Sequence, residues 1–200
     1  MNADVTTSPA RIKQCVRKSI RAARVDHSVA WIERASRQIT EHVIALPEVN
    51  AAAAMAVYMS LPYEVQTRRL VTELLARGVR LAVPALAAGE KSYRFSWIDP
   101  ETEWTRGPYG VPQPAETRWA GDGELDVKLA PCVAFDGCGR RLGHGTGHFD
   151  ALLDRYQGLN AGLAFAFQEV ESLPVEAHDV PMSLLVTENG ARRCNRKSTS

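Results

Sequence analysis

Two apolar runs joined through a single helix constrain this chain more than any other feature. "AMAVYMS" (residues 54–60) is short and almost continuously apolar, as a strand covered on both faces must be. "VRLAVPAL" (79–86) has the same character. Between them, Gln66 to Arg77 sets Leu70, Val71, Leu74 and Leu75 at helical spacing, and Gly78 marks the stop. A crossover of about a dozen residues between buried strands indicates a parallel βαβ unit. The chain is therefore expected to build an α/β domain around a mostly parallel sheet.

The remaining segments extend that scheme. From Ala10 to Arg24, Ile12, Cys15, Val16, Ile20 and Ala23 share one helical face, while Lys13, Arg17, Arg21 and Arg24 share the other. Asp26 or Ser28 caps a second helix with Ile32, Ala35, Ile39, Val43 and Leu46 inward, ended by Pro47. "YRFSWI" (93–98) alternates like an antiparallel or edge strand. Residues 99–126, rich in Gly, Pro, Trp and acids, read as a long loop. "DVKLAPCVAFD" (126–136) returns to strand character, and "AGLAFAF" (161–167) and "MSLLVTE" (182–188) close the sheet. The expectation is a three-layer single domain over residues 1–190 with an N-terminal helical layer. Residues 1–9 are expected to fray, and 191–200 to form a polar, basic, disordered tail.

Composition narrows the class. The 200 residues are 45% hydrophobic and 24% charged with a net charge of +1, as in ordinary globular proteins. Four cysteines (Cys15, Cys132, Cys138, Cys194) lack the density of a disulfide framework. No apolar run approaches the roughly 18 residues of a membrane span. The N-terminus is basic and amphipathic, unlike a secretory signal. A reduced, cytoplasmic protein is expected, a monomer or weak homo-oligomer without membrane partners. Near-neutral charge and one basic helix face point away from nucleic acid as a partner.

The chemistry concentrates in "GRRLGHGTGHFDALLDRY" (139–156), which follows a strand and opens a helix. Gly143, Gly145 and Gly147 leave backbone N–H groups uncovered, and the helix N-terminus adds its positive end, a combination that favours phosphate. Asp150 lies in the first helical turn, where a carboxylate is favoured and can hold magnesium. The spacing matches neither a P-loop nor a dinucleotide fingerprint. A plain flexible turn with a helix-capping acid explains the same residues. Zinc bound by Cys132, Cys138, His144 and His148 is a weaker reading, because the spacing is not C-x-x-C. His178 beside Asp179 raises an acid–base pair, but adjacent side chains usually diverge.

"VAFDGCGRRLGHGTGHFD" closely resembles the signature of 5-formyltetrahydrofolate cyclo-ligases (methenyltetrahydrofolate synthetases), usually "FD…G.RLG.G.GYYD". "KQCVR" resembles that family's N-terminal basic helix and "VYMSLPYEVQT" its strand and acidic turn. "YGVPQP" is similar to its Gly-Ile-Pro-Glu-Pro segment, and "AFAFQEVESLPVEAHDVPMSLLVTENG" to its C-terminal part. The resemblance implies a three-layer NagB/RpiA/CoA-transferase-like scaffold. It also implies an ATP- and Mg2+-dependent ligase of one-carbon metabolism that cyclises 5-formyltetrahydrofolate to 5,10-methenyltetrahydrofolate, releasing ADP and phosphate. Carried over by position, ATP falls to Lys13, Arg17, Arg141, Leu142, Gly143, His144, Gly145, Thr146, Gly147, His148 and Phe149. The folate falls to Met59, Glu64, His144, Gly145, Thr146, Gly147 and His148. The metal falls to Asp150 and Asp179, and the catalytic roles to Arg141 and Asp150.

The chain departs from the pattern at three places. Thr146 stands where a lysine is common, His144 where a basic residue is common, and His148-Phe149 where Tyr-Tyr is common. Either Arg140, His144 or Lys91 replaces the missing charge, or the chain is a paralogue that binds nucleotide or folate without efficient cyclisation or acts on another substrate. Trp104 or Trp119 is a candidate lining of the folate cleft.

Overall fold

The computed structural model describes residues 8–194. Helix α1 (Pro9–Ala23) starts with proline at its first position and with Ser8 capping the Arg11 N–H. Helix α2 (Val29–Ala45) is capped by Ser28, which accepts from the Trp31 N–H at 3.2 Å. Asp26 instead ends a short 3-10 turn. Pro47 opens the one-turn helix α3 (Pro47–Ala51). Strand β1 (Ala54–Ala56), helix α4 (Arg68–Ala76) and strand β2 (Arg80–Ala85) form the expected unit, with Gly78 at φ +79° closing the helix. The β1 and β2 strands pair in parallel, Ala54 opposite Arg80 and Ala56 opposite Ala82.

Strand β3 (Arg94–Ile98) is an antiparallel edge, as its alternation predicts. The long loop contains a small hairpin of β4 (Trp104–Arg106) and β5 (Pro112–Pro114). Strands β6 (Val127–Pro131), β9 (Leu159–Leu163) and β11 (Leu184–Thr187) complete the parallel part of a seven-stranded sheet ordered β12-β11-β9-β6-β1-β2-β3, with β12 (Gly190–Arg193) at one edge. The chain runs outward one way from β1 to β2 and the other way from β6 through β9 to β11. The order therefore reverses between β1 and β6, where a crevice opens beyond the strand ends.

Two expectations are corrected. "DVKLAPCVAFD" is two strands in different sheets: β6, then β7 (Ala134–Asp136) in a three-stranded sheet with β8 (Arg141–Leu142) and β10 (Glu169–Val170). Buried Gln168 makes the break possible. Its amide donates to the Cys132 and Val133 carbonyls at 2.8 and 2.9 Å, and its oxygen accepts from the Phe165 N–H. It satisfies backbone groups that no strand partner reaches, and likewise ends "AGLAFAF" as a strand at Leu163.

The second correction concerns the tail. Gly190–Arg193 is strand β12, paired antiparallel with β11, so the sheet extends beyond residue 190. Residues 1–7 and 195–200 lie outside the described residues.

One core, with Ile39, Val43, Leu70, Leu74, Val83 and Leu129, joins α2 and α4 to one sheet face. Helix α5 (His148–Arg155) covers the other face through Leu152 and Leu153, with Tyr156 following. The three layers are thus helix, sheet and helix. Helix α1 stands apart: Ile20 packs against Val133 and against Ala134 and Leu142 of the small sheet. No helix of the described residues is long and apolar enough to cross a membrane.

Candidate active site

The small sheet carries the glycine loop to the crevice. Gly145 and Gly147 have φ of +102° and +72°, a region side-chain-bearing residues avoid. Gly147 is the residue before α5, and no side chain caps the first turn. The open N–H groups of that turn thus face the loop.

One cavity of about 250 Å³ lies on one side of this loop. Lys13, Arg17 and Arg141 bring three cations to it, and Asp150, Glu176 and Asp179 three acids. Helix α1 supplies the first two. Lys13 is 6% exposed and donates to Glu176 Oε2 and Asp179 Oδ2, each at 2.6 Å. Burial lowers the Lys13 pKa, but those two hydrogen bonds and charges outweigh it and hold the ammonium above its ordinary range. Arg17 donates its Nε–H to the Gly143 carbonyl at 2.9 Å. The basic face of α1 is therefore divided between cavity and solvent: Lys13 is buried, Arg17 half-buried and Arg21 exposed.

Arg141 enters from β8 with its side chain 1% exposed. Its Nη2 is 2.6 Å from Asp150 Oδ1, and its Nη1 donates to the Pro131 carbonyl at 3.3 Å. Its Nε finds no partner among the described residues. Gly143 lies close beside it: a Cβ there would be 2.9 Å from Nη1, so the guanidinium would have to shift.

A second cavity of about 500 Å³ lies on the other side of the loop. Tyr58, Met59, Tyr93, Tyr109 and Pro112 make its walls mostly apolar and aromatic, suited to a flat ring system. Met59 and Glu64 both line it, from the stretch beyond β1. The Glu64 Oε2 accepts from the Leu61 N–H at 2.8 Å, and Oε1 lies 2.9 Å from His144 Nε2. Gln113 bonds both the N–H and the carbonyl of Leu86, fastening the β4–β5 hairpin over the cleft. Tyr109 at its lip is a non-glycine residue at φ +59°.

His144, Thr146, His148, Phe149 and Pro131 line both cavities, so the glycine loop is the wall between them. All the residues assigned to site roles from sequence converge on these two spaces, with Leu142 buried at the base of the loop. One cluster of three metal-capable groups among the described residues is Glu176, His178 and Asp179, within 4.8 Å of one another. Asp150 is not in that cluster; it lines the same cavity and holds Arg141.

Several expectations fail on placement. Arg140 turns to Asp136, Ser172 and the Leu173 carbonyl, and Lys91 is exposed and lines neither cavity, so of the three proposed substitutes for a loop lysine only His144 is in place. Trp104 and Trp119 line neither space; Trp119 lies under Arg94. Cys132 is buried, and burial, outweighing nearby Arg141, pushes its thiol up to about 12, the opposite of a zinc ligand. The sequence marks neither Tyr93 nor Tyr109 as site residues, and it marks Glu176 only through its spacing, three positions before Asp179.

A profile of the 5-formyltetrahydrofolate cyclo-ligase family matches residues 9–188. The chain belongs to that family. It is 32% identical over 176 residues to a Haemophilus influenzae protein named 5-formyltetrahydrofolate cyclo-ligase, covering 85% of this chain and 94% of that one. An Escherichia coli K12 protein of the same name is 33% identical over 159 residues, covering 76% and 86%. The solution structure of Aquifex aeolicus 5,10-methenyltetrahydrofolate synthetase superposes with a TM-score of 0.81 at 30% identity, over 94% of this chain and 95% of that one. In this cyclo-ligase-family chain, the departures at His144, Thr146, His148 and Phe149 all fall on the wall between the cavities.

Proposed function

We propose that this protein catalyses the ATP- and Mg2+-dependent cyclisation of 5-formyltetrahydrofolate to 5,10-methenyltetrahydrofolate. The observation that carries this is the shared wall: a charged, glycine-bounded cavity and an apolar, aromatic one meet along one loop. A reaction joining a nucleotide phosphate to a group on a flat heterocycle needs that juxtaposition.

The residues fit the groups. Uncovered backbone at Gly143, Gly145 and Gly147, with three cations, suits phosphates. The Glu176 and Asp179 carboxylates are the hard oxygen donors that Mg2+ prefers. Asp150 uses Oδ1 for Arg141 and for a long contact from the Val180 N–H at 3.5 Å, which leaves Oδ2 for the ion. Bound ATP with its ion supplies the phosphoryl group that makes the formyl oxygen a competent leaving group.

The chain's own residues do the rest. Arg17, fixed to Gly143, and Arg141, fixed to Asp150 and Pro131, present guanidinium charge with little reorganisation. The apolar cleft holds the folate ring and excludes water, with Met59 and Glu64 at its wall. Thr146 contributes a hydroxyl donor where the family commonly has lysine, and Lys13, Arg17 and Arg141 carry the positive charge instead. Incubation of the purified protein with 5-formyltetrahydrofolate, ATP and Mg2+ tests the reading through the absorbance of the methenyl product. Product that requires both ATP and Mg2+ supports it, and absence of product overturns it.

A further inference from the structure

This inference rests on the cyclo-ligase reading above and concerns the proton that ring closure releases. The folate nitrogen that closes the ring carries one hydrogen before closure and none after. Its lone pair forms the new C–N bond, the C–O bond breaks with its electron pair going to the departing phosphate oxygen, and the N–H proton passes to a base. That base must lie where the two cavities meet. The side chains bordering both are Pro131, His144, Thr146, His148 and Phe149. Of these, only the two histidines accept protons readily near neutral pH.

The histidines differ in how they are held. His148 stands against aromatic rings, Tyr93 at 4.9 Å and Tyr109 at 6.4 Å between centroids, which leaves its tautomer unfixed. His144 Nε2 lies 2.9 Å from Glu64 Oε1, and Glu64 is 7% exposed with its other oxygen pinned by the Leu61 N–H. An ionised carboxylate only accepts hydrogen bonds, so Nε2 carries the hydrogen and Nδ1 keeps a free lone pair. The Tyr63 ring, edge-on at 5.9 Å, limits imidazole rotation. We propose that His144, oriented by Glu64, is the general base that removes the ring-closing proton.

Charged groups surround His144 on every side. Glu64 touches its Nε2. Arg17, whose guanidinium carbon would be 3.3 Å from a Cβ on Gly145, Arg24, stacked 4.7 Å over Tyr63, and Arg21 lie on the helix α1 side. Lys13, Arg141, Asp150, Glu176, His178 and Asp179 face it across the phosphate cavity, and Tyr93, Tyr109 and His148 across the cleft. The arrangement gives Glu64 a positioning role and His144 a catalytic one.

The test is the pH dependence of kcat for the intact protein at saturating ATP, Mg2+ and 5-formyltetrahydrofolate. The wild type should lose rate about tenfold per pH unit on a single acid limb. His144→Gln should lower kcat by about 10²- to 10⁴-fold and abolish that limb. Added imidazole should restore rate to His144→Gly, and Glu64→Gln should lower kcat while leaving the KM for ATP unchanged. A His144→Gln enzyme that keeps the wild-type limb, or a His144→Gly enzyme that imidazole does not rescue, overturns the proposal while leaving the ligase reading intact. A wild type without turnover overturns the ligase reading itself.

Discussion

Arg17 donates its Nε–H to the carbonyl of Gly143 at 2.9 Å, joining helix α1 to a loop 126 positions later. This bond places a cation of the first helix against the loop without a lysine on the loop itself. Arg17→Gln removes both charge and clamp. A charged hydrogen bond is worth about 1.5–3 kcal/mol, so the KM for ATP should rise about 10- to 150-fold. Steady-state titration with ATP checks this, and the KM for the folate should move far less.

Gly145→Ala asks whether the loop's shape matters apart from its charge. The residue sits at φ +102°, and an added Cβ would press on the Arg17 guanidinium at 3.3 Å. Strained backbone of this kind costs about 1–3 kcal/mol. The variant should unfold at lower denaturant concentration and show less thermal stabilisation by ATP than the wild type.

The Arg141–Asp150 pair is asymmetric, with side chains 1% and 17% exposed. Asp150→Asn leaves a buried guanidinium without its counter-charge and should destabilise the fold by about 3–5 kcal/mol. Arg141→Met leaves only a partly exposed carboxylate and should cost less. In a denaturant double-mutant cycle the pair of changes should cost less than the sum. Asp150→Asn should also raise the Mg2+ concentration needed for half-maximal turnover; an unchanged requirement would remove Asp150 from the proposed metal ligands.

Lys128 lies outside the site and predicts a stability effect. It is 1% exposed and donates to the Leu153 carbonyl at 2.9 Å and to the Tyr156 carbonyl, holding the C-terminal end of α5. Burial lowers its pKa to about 8 despite the nearby Asp154 charge. Between pH 8 and the ordinary lysine value of 10.5 the unfolded chain binds more protons, so this group makes stability rise with pH across that window. Buried Cys132 acts oppositely at higher pH, so the comparison must be with Lys128→Met. The stability of Lys128→Met relative to wild type should fall as pH rises from 8 to 10.5, measured by urea unfolding.

The sequence exposes what repeats with a local period or sits in a motif. The β1–α4–β2 unit is legible because buried parallel strands are continuously apolar and the intervening helix has a clear inward stripe. The glycine loop, Lys13, Arg17, Asp150 and Asp179 are legible as motif residues. The break between β6 and β7 is not, since it depends on an amide from Gln168, 36 residues beyond Cys132. Strand β12 is polar and basic because it is an exposed edge, which in sequence is indistinguishable from a tail. The aromatic walls are hidden for a similar reason: Tyr58, Tyr93 and Tyr109 meet only through tertiary packing around the cleft. The same holds for the contact between His144 and Glu64, 80 positions apart.

Whether the two cavities act as one site is read by counting both products in one reaction: methenyltetrahydrofolate by absorbance and ADP by a coupled assay, with purified protein, 5-formyltetrahydrofolate, ATP and Mg2+. If a phosphate cavity and a folate cavity act across one loop, the two products appear in equal amounts and neither forms when the other substrate is withheld. ADP formation without methenyl product, or methenyl formation without ATP, would show that the two cavities do not act as one site.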